Sequence, residues 1–126
     1  MITGVVNNDL EAEVRLTVRG PTGRTRRIRA VVDTGYDGHL SLPPATVATL
    51  ELPWKRRDKA ILANGKTTSF DVFGGAVGWD GSRRAISIDE ADTEPLVGIA
   101  MLEGYRLNSE FRPGGKVAIR ALRRRG

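Results

Sequence analysis

The first part of the chain alternates between apolar and polar residues, as β-strands with one buried face do. In residues 13–19, valine or leucine occupies every second position, and charged or hydroxyl-bearing residues fill the positions between them. A turn sequence at 20–23, Gly-Pro-Thr-Gly, separates this segment from a second one at 24–32 that ends in three apolar residues. The pattern predicts a β-hairpin whose second strand leads directly into Asp33.

The rest of the chain predicts more short strands and one or two short helices. The dipeptide Asn64-Gly65 suits a tight type I′ turn, and Asp80-Gly81 marks a second hairpin. The prolines at 43 and 44 suit the first turn of a helix. Many short strands joined by turns are typical of an all-β barrel or sandwich. The expected strands lie at 13–19, 24–32, 59–63, 66–73, 76–79, 84–88, 105–111 and 116–122, and the helices at 45–50 and 99–103.

Length and composition indicate one small domain over residues 1–126. The chain has no cysteine, which excludes disulfides, cysteine nucleophiles and thiolate metal sites. Its single histidine, His39, excludes a histidine cluster for zinc, and we expect neither a metal nor a cofactor. No apolar stretch is long enough to cross a bilayer, and the first residues do not resemble a secretory signal. We therefore expect a cytoplasmic protein without a membrane segment.

The chain is basic, and its arginines are concentrated in two places. Lysine and arginine number 20 against 15 acidic residues, for a net charge of +5. A basic β-barrel that binds nucleic acid through residues 24–29 is therefore one hypothesis. No aromatic residues are interleaved with these arginines to stack on bases, so we interpret them as a solvated strand face and a frayed tail, without a nucleic-acid partner. The arginines concerned are Arg24, Arg26, Arg27 and Arg29, and Arg123, Arg124 and Arg125 in the tail.

The segment 30–35, Ala-Val-Val-Asp-Thr-Gly, is the strongest candidate for chemistry. It puts a carboxylate at the end of an apolar strand, where Asp33 needs hydrogen bonds, a partner or a shared proton. Thr34 supplies a hydroxyl, and Gly35 allows close approach of another backbone. The tripeptide alone is equally compatible with an ordinary turn at a strand end. A second element at 96–98, Leu-Val-Gly, favours the chemical interpretation.

With these two elements the sequence resembles the retropepsin-like (clan AA) aspartic proteases, in particular single-domain bacterial members. The matching segments are 31–35, the Asp37-Gly38 that follows, and 96–98 before the apolar segment 99–102. The resemblance covers a core at about 12–122 of the domain. The resemblance implies an all-β acid-protease barrel in which the aspartate loop crosses beneath 96–98 and a short helix follows. It also implies that Asn64-Gly65 forms the tip of a flap, a hairpin that closes over substrate.

The resemblance implies an aspartic endopeptidase that acts on peptide or protein substrates. The chemistry needs two aspartates that share one proton, because two like charges a few ångströms apart do not both ionise readily. This chain has a single Asp-Thr-Gly, so the pair would come from two copies of Asp33 in a homodimer. Thr34 and Gly35 would support Asp33. The residues expected around the substrate are Gly35, Tyr36, Asp37, Gly38, Asn64 and Gly65.

Two departures from the family pattern leave an alternative open. Ile99 and Ala100 stand where retroviral members carry an arginine and a polar residue that link the subunits. Tyr36 is bulky where many relatives have a small residue. A non-catalytic module of the same fold, used for dimerisation or peptide binding, is therefore the alternative.

The segment 89–94 contains four acidic residues, Asp89, Glu90, Asp92 and Glu94. It lacks the glycine and the terminal glutamate of an EF-hand calcium loop. We therefore interpret it as a solvated acidic loop.

Overall fold

The structure is a computed structural model that describes residues 1–123, so that Arg124 and Arg125 of the basic tail lie outside the described residues. It is built almost entirely of strands, and the expectation of an all-β fold with short helices is confirmed. The strands are β1 (Ile2–Val6), β2 (Ala12–Arg19), β3 (Thr25–Val32), β4 (Leu40–Leu42), β5 (Trp54–Ile61), β6 (Thr67–Trp79), β7 (Ser82–Glu90), β8 (Leu96–Val97), β9 (Tyr105–Ser109) and β10 (Lys116–Ala121). The helices are α1 (Pro44–Thr49) and α2 (Ile99–Leu102).

All described strands belong to one sheet in the order β5-β6-β7-β4-β8-β3-β2-β1-β10-β9. A further pairing of β6 with β2 closes six of them, β6-β7-β4-β8-β3-β2, into a barrel. The closing contact joins Val18 to Val77 and Arg19 to Ala76. Closure protects these six strands from pairing with other chains, while β5 and β9 remain at the ends of the described sheet.

The core follows from the alternation seen in the sequence. Along β2, Val14, Leu16 and Val18 are buried, and the intervening side chains are more exposed. Leu40 and Ile88 are completely buried in the barrel interior. A barrel of short strands fills its interior with such branched side chains. The residues that line the core are thus the apolar residues at every second position of the strands.

The largest differences from expectation lie in the second half of the barrel. The segments expected at 66–73 and 76–79 form one strand, β6, because Gly74 and Gly75 continue the pairing with β7 instead of interrupting it. The short strand β4 was not expected at all. In addition, Asp89 and Glu90 lie in β7, so the expected acidic loop begins only at residue 91.

The two short hairpin turns also differ from each other. Asp80 and Gly81 both have positive φ angles, 49° and 81°, as a type I′ turn requires. Among the described non-glycine residues, positive φ angles occur only at Leu10, Glu51 and Asp80, so the type I′ turn expected at Asn64-Gly65 is wrong. There Gly65 alone is left-handed, with φ 80°, and it closes a three-residue loop through bonds from Gly65 N–H to the Leu62 carbonyl and from Leu62 N–H to the Lys66 carbonyl.

Candidate active site

The candidate site is organised by β8, which lies between β3 and β4. It runs parallel to β3, where Val32 pairs with Val97, and antiparallel to β4, where Leu40 also pairs with Val97. The backbone N–H of Asp33 continues this ladder by donating to the Val97 carbonyl at 2.9 Å. The aspartate is therefore fixed at the point where the chain leaves the end of β3.

The Asp33 carboxylate is held by the turn that follows it. The N–H of Gly35 donates to Asp33 Oδ1 at 2.9 Å, and the N–H of Tyr36 donates to the Asp33 carbonyl at 3.2 Å. Asp33 is half-buried, while Thr34 and Gly35 are exposed. In the described residues Oδ2 accepts no hydrogen bond. One carboxyl oxygen is thus oriented by the turn, while the other is not held by it.

The segment before α2 clamps the rest of the aspartate loop. The N–H groups of Gly98 and Ile99 donate to the carbonyls of His39 and Tyr36 at 2.9 and 2.8 Å. A Cβ atom on Gly98 would lie 2.1 Å from the Gly38 carbonyl oxygen, a separation that side chains do not adopt. The expectation that the aspartate loop meets segment 96–98 is therefore confirmed, and the glycine is needed for that approach.

A cleft of about 1140 Å³ opens beside this loop. Its walls are the loop after Asp33, the hairpin of β5 and β6, and the last residues of β7 with the segment leading to β8. Of the residues expected around substrate, Gly35, Tyr36, Asp37 and Gly38 line it. The catalytic candidate Asp33 and its neighbour Thr34 stand just outside the lining of this single subunit.

The hairpin of β5 and β6 forms the outer wall of the cleft, from Asp58 and Ala60 on one strand to Phe70 on the other. Its tip carries Asn64 and Gly65, both exposed and beyond the residues that line the cleft. The Asn64 side chain accepts a hydrogen bond from the Lys66 N–H at 3.0 Å, which shapes the tip. Ile61 and Leu62 next to it are 78% and 46% exposed, an apolar surface at the end of a hairpin.

Two solved structures of aspartic proteases are similar to this chain in fold. The EIAV protease, in complex with the inhibitor HBY-793, matches with a TM-score of 0.55 at 16% identity, over 74% of this chain and 86% of that one. A retropepsin-like aspartic protease from Rickettsia conorii matches with a TM-score of 0.55 at 15% identity, over 97% of this chain and 91% of that one. This chain has the retropepsin-like fold. No protein-family model and no curated protein sequence matches it.

Within this retropepsin-like fold, Tyr36 links the aspartate loop to β7. Its hydroxyl donates to Asp89 Oδ2 at 2.6 Å, a length typical of a bond to a charged acceptor. Burial, followed by the hydrogen bond and the negative charge of Asp89, raises the pKa of Tyr36 well above its ordinary value. The bulky side chain noted in the sequence therefore anchors the loop to β7 as well as lining the cleft.

Sequence reasoning missed two residues on the floor of the cleft. Ser41 and Asp89 both line it and are paired across β4 and β7. The alternation of Leu40, Ser41 and Leu42 could have revealed the first, because two buried leucines place the serine between them on the opposite face. Asp89 could not be found this way, since it looked like part of a solvated loop.

His39 also lines the cleft, and burial, reinforced by the positive charge of Arg84, lowers its pKa. Over residues 1–123, no three histidine or acidic side chains come together in a group that could hold a metal ion. Across the same range, no helix is both long and apolar enough to cross a bilayer.

Proposed function

We propose that the chain is one subunit of a homodimeric aspartic endopeptidase whose catalytic pair consists of Asp33 from each subunit. The observation that supports this most directly is the setting of Asp33. It leaves the end of a strand, is tied to β8 through the Val97 carbonyl, and has one carboxyl oxygen fixed by the Gly35 N–H. The likeness to two aspartic proteases in fold supports the same conclusion.

In this proposal the two carboxyl groups face each other around one water molecule. Their repulsion keeps one of them protonated, so one acts as the base that activates the water and the other as the acid that protonates the scissile amide. The Gly35 N–H, which donates to Asp33 Oδ1 at 2.9 Å, would hold each carboxyl group in a fixed orientation toward the water. No covalent intermediate with the enzyme is needed.

The remaining parts of the cleft would hold the peptide. Gly35 and Asp37, both exposed at its edge, would bind the substrate main chain, and Tyr36 and Gly38 would line subsites. Asn64 and Gly65 would come over the substrate when the hairpin of β5 and β6 closes. This assignment makes the cleft of one subunit only half of the site, and it predicts that an isolated subunit is inactive. A cytoplasmic location is part of the proposal.

The test is hydrolysis of a peptide library at acidic pH by the purified protein. We expect cleavage that a statine-type transition-state analogue inhibits and that Asp33→Asn abolishes, with the dimer still present by sedimentation. Asp9→Asn is the matched control, because it removes one exposed carboxylate far along the chain from the cleft. Cleavage that persists unchanged in Asp33→Asn would show the assignment to be wrong.

The second candidate is a non-catalytic peptide-binding or dimerisation module. It is favoured by Ile99, which is 44% exposed at the start of α2 and cannot make polar links to a second subunit. Under this alternative, purified protein binds peptides but cleaves none at any concentration at which it is dimeric. The library experiment, repeated over a series of protein concentrations, separates the two functions.

A further inference from the structure

Resting on the proposed function, we propose that the cleft selects peptides carrying a lysine or arginine side chain. The subsite for this side chain has Ser41 and Asp89 at its floor and Glu90 and Asp92 at its side. All four residues line the cleft. A preference for lysine or arginine concerns only the substrate class of the site, so its absence would leave the peptidase assignment intact.

The floor is built by the register of β4 on its neighbours. Ser41 pairs with Asp89 of β7 on one side and with Leu96 of β8 on the other, and paired residues of adjacent strands project to the same face of a sheet. Leu40 and Leu42 are fully buried in the core, so Ser41 faces the cleft. A hydroxyl and a carboxylate are thus placed side by side.

The Ser41 hydroxyl is a second polar group that would bind a donor at this floor. The residue is only 3% exposed, and Ser41 Oγ has no hydrogen-bond partner among the described residues. Buried hydroxyl groups in folded proteins are nearly always paired, because an unpaired one loses its bonds to water without replacement. A hydroxyl oxygen accepts a hydrogen bond, so the donor groups of an ammonium or a guanidinium would satisfy it.

The Asp89 carboxylate is oriented and can accept further hydrogen bonds from the same cationic side chain. Tyr36 donates to its Oδ2 at 2.6 Å, which fixes the orientation of the group, and carboxylate oxygens each accept more than one hydrogen bond. Asp89 and Glu90 are half-buried and Asp92 is exposed. A cationic side chain entering here would exchange water for charge-assisted bonds, which are about twice as strong as neutral ones.

The charge of the cleft is opposite to that of the whole chain. The chain carries a net charge of +5, yet five carboxylates line the cleft against two cations, Arg56 and Lys59. Arg56 is already paired with Asp58 at 3.0 Å. Among the described residues that line the cleft, Lys59 is therefore the one cation left to balance Asp37 and the three acidic residues of the subsite. A concave surface with one sign of charge attracts the opposite charge from solution.

The experiment compares matched peptides in which one position carries lysine or its uncharged analogue norleucine, moved in turn through the sequence around a cleaved bond. At one position we expect a kcat/KM about tenfold higher for lysine, as one charge-assisted contact at a partly exposed site gives. The preference should weaken at high salt, since the screening length shortens. Asp89→Asn should reduce it to about twofold or less.

Asp89→Asn also changes the group that accepts the hydrogen bond of Tyr36. Two further variants therefore test the subsite without changing that bond. Asp92→Lys should shift the preference toward a glutamate peptide, because it reverses one charge at the rim. Glu94→Gln is the matched control: it removes an exposed carboxylate from the same loop, outside the cleft lining, and should leave the lysine preference unchanged.

The two levels of the proposal fail in different ways. Cleavage of lysine and norleucine peptides at equal rates at every position overturns the subsite and leaves the peptidase. If no peptide is cleaved, the peptidase assignment is wrong, and the same peptide pairs are titrated against Asp33→Asn by calorimetry. Binding of a lysine peptide about tenfold tighter then supports the subsite, and equal binding overturns it.

Discussion

Gly98 lies against Gly38 so closely that no side-chain atom fits between them. A Cβ atom on Gly98 would come 2.1 Å from the Gly38 carbonyl oxygen and 2.7 Å from Cδ2 of Tyr36. The same carbonyl accepts a hydrogen bond from the Ala100 N–H at 3.2 Å. The loop that carries Asp33 and the segment that enters α2 are therefore one packed unit, and the position of the carboxylate depends on it.

Gly98→Ala should accordingly be among the most damaging single-methyl additions in the chain. The added carbon meets backbone atoms that cannot rotate away, so the free energy of unfolding should fall by about 3 kcal/mol or more. Gly78→Ala is the control, because its nearest neighbour outside the adjoining residues is the Thr17 carbonyl oxygen at 3.9 Å, an ordinary contact. Denaturant titration of both variants measures the difference. Equal stabilities of the two variants would mean that Gly98 and Gly38 do not make this contact.

Tyr36→Phe should lower the stability through loss of one bond. The hydroxyl donates to the Asp89 carboxylate at 2.6 Å in a half-buried setting, and removing it leaves the carboxylate with one partner fewer. We expect a loss of about 1 kcal/mol in the free energy of unfolding. Tyr36→Phe in an Asp89→Asn background should have a smaller effect, and this double-mutant cycle isolates the pair.

Alkaline pH should lower the free energy of unfolding through the same Tyr36 hydroxyl. Burial and Asp89 raise the pKa of Tyr36 above its unfolded value of 10.0. Above that pH the unfolded chain releases the proton and the folded chain keeps it, so stability is complete below pH 10 and declines as pH rises further. The decline should be shallower in Tyr36→Phe than in the unmodified protein. Parallel curves of unfolding free energy against pH would contradict the raised pKa.

The strongly patterned parts of the chain could be predicted from the sequence. The alternation in 13–19 and the apolar end of 24–32 gave β2, β3 and the position of Asp33, because local periodicity decides which face is buried. The apolar segment at 96–98 likewise indicated the crossing with the aspartate loop. Both signals are short-range, and the fold agrees with them.

The missing parts depend on contacts that local pattern does not encode. Three-residue β4 is a strand only because β7 and β8 flank it, and Asp89 is on the cleft floor only because β7 continues through it. The turn at Asn64-Gly65 has a three-residue form because its closing pair is Leu62 and Lys66. A two-residue turn would be closed by residues 63 and 66. Loop length, not the dipeptide alone, selects the turn type.

Gly65→Ala should loosen the tip of the hairpin over the cleft. Gly65 has φ 80°, and a side chain there is strained even though no atom lies within 4 Å of its Cβ position. We expect a loss of about 1 kcal/mol, seen as faster amide exchange at the tip of β5 and β6. Gly65→Asn should lose less, because asparagine tolerates this conformation better. Equal exchange in both variants would argue against a left-handed residue at the tip.

If two subunits share one catalytic site, as proposed, inactive subunits should reduce the activity of unmodified subunits by pairing with them. Asp33→Asn changes a half-buried side chain without changing its shape, so the variant should still pair with unmodified subunits. Every mixed pair then holds one carboxylate and one amide, which cannot share the proton that the chemistry needs.

With random exchange of subunits, an equal amount of Asp33→Asn should reduce the activity of a fixed amount of unmodified protein to about half, and a roughly ninefold excess to about a tenth. The measurement is peptide hydrolysis after incubation long enough for subunits to exchange, with the same mass of an unrelated protein as control. A subunit that acts alone would keep its full activity at any excess of the variant. This titration therefore tests the pairing of the two Asp33 residues separately from the need for Asp33 itself.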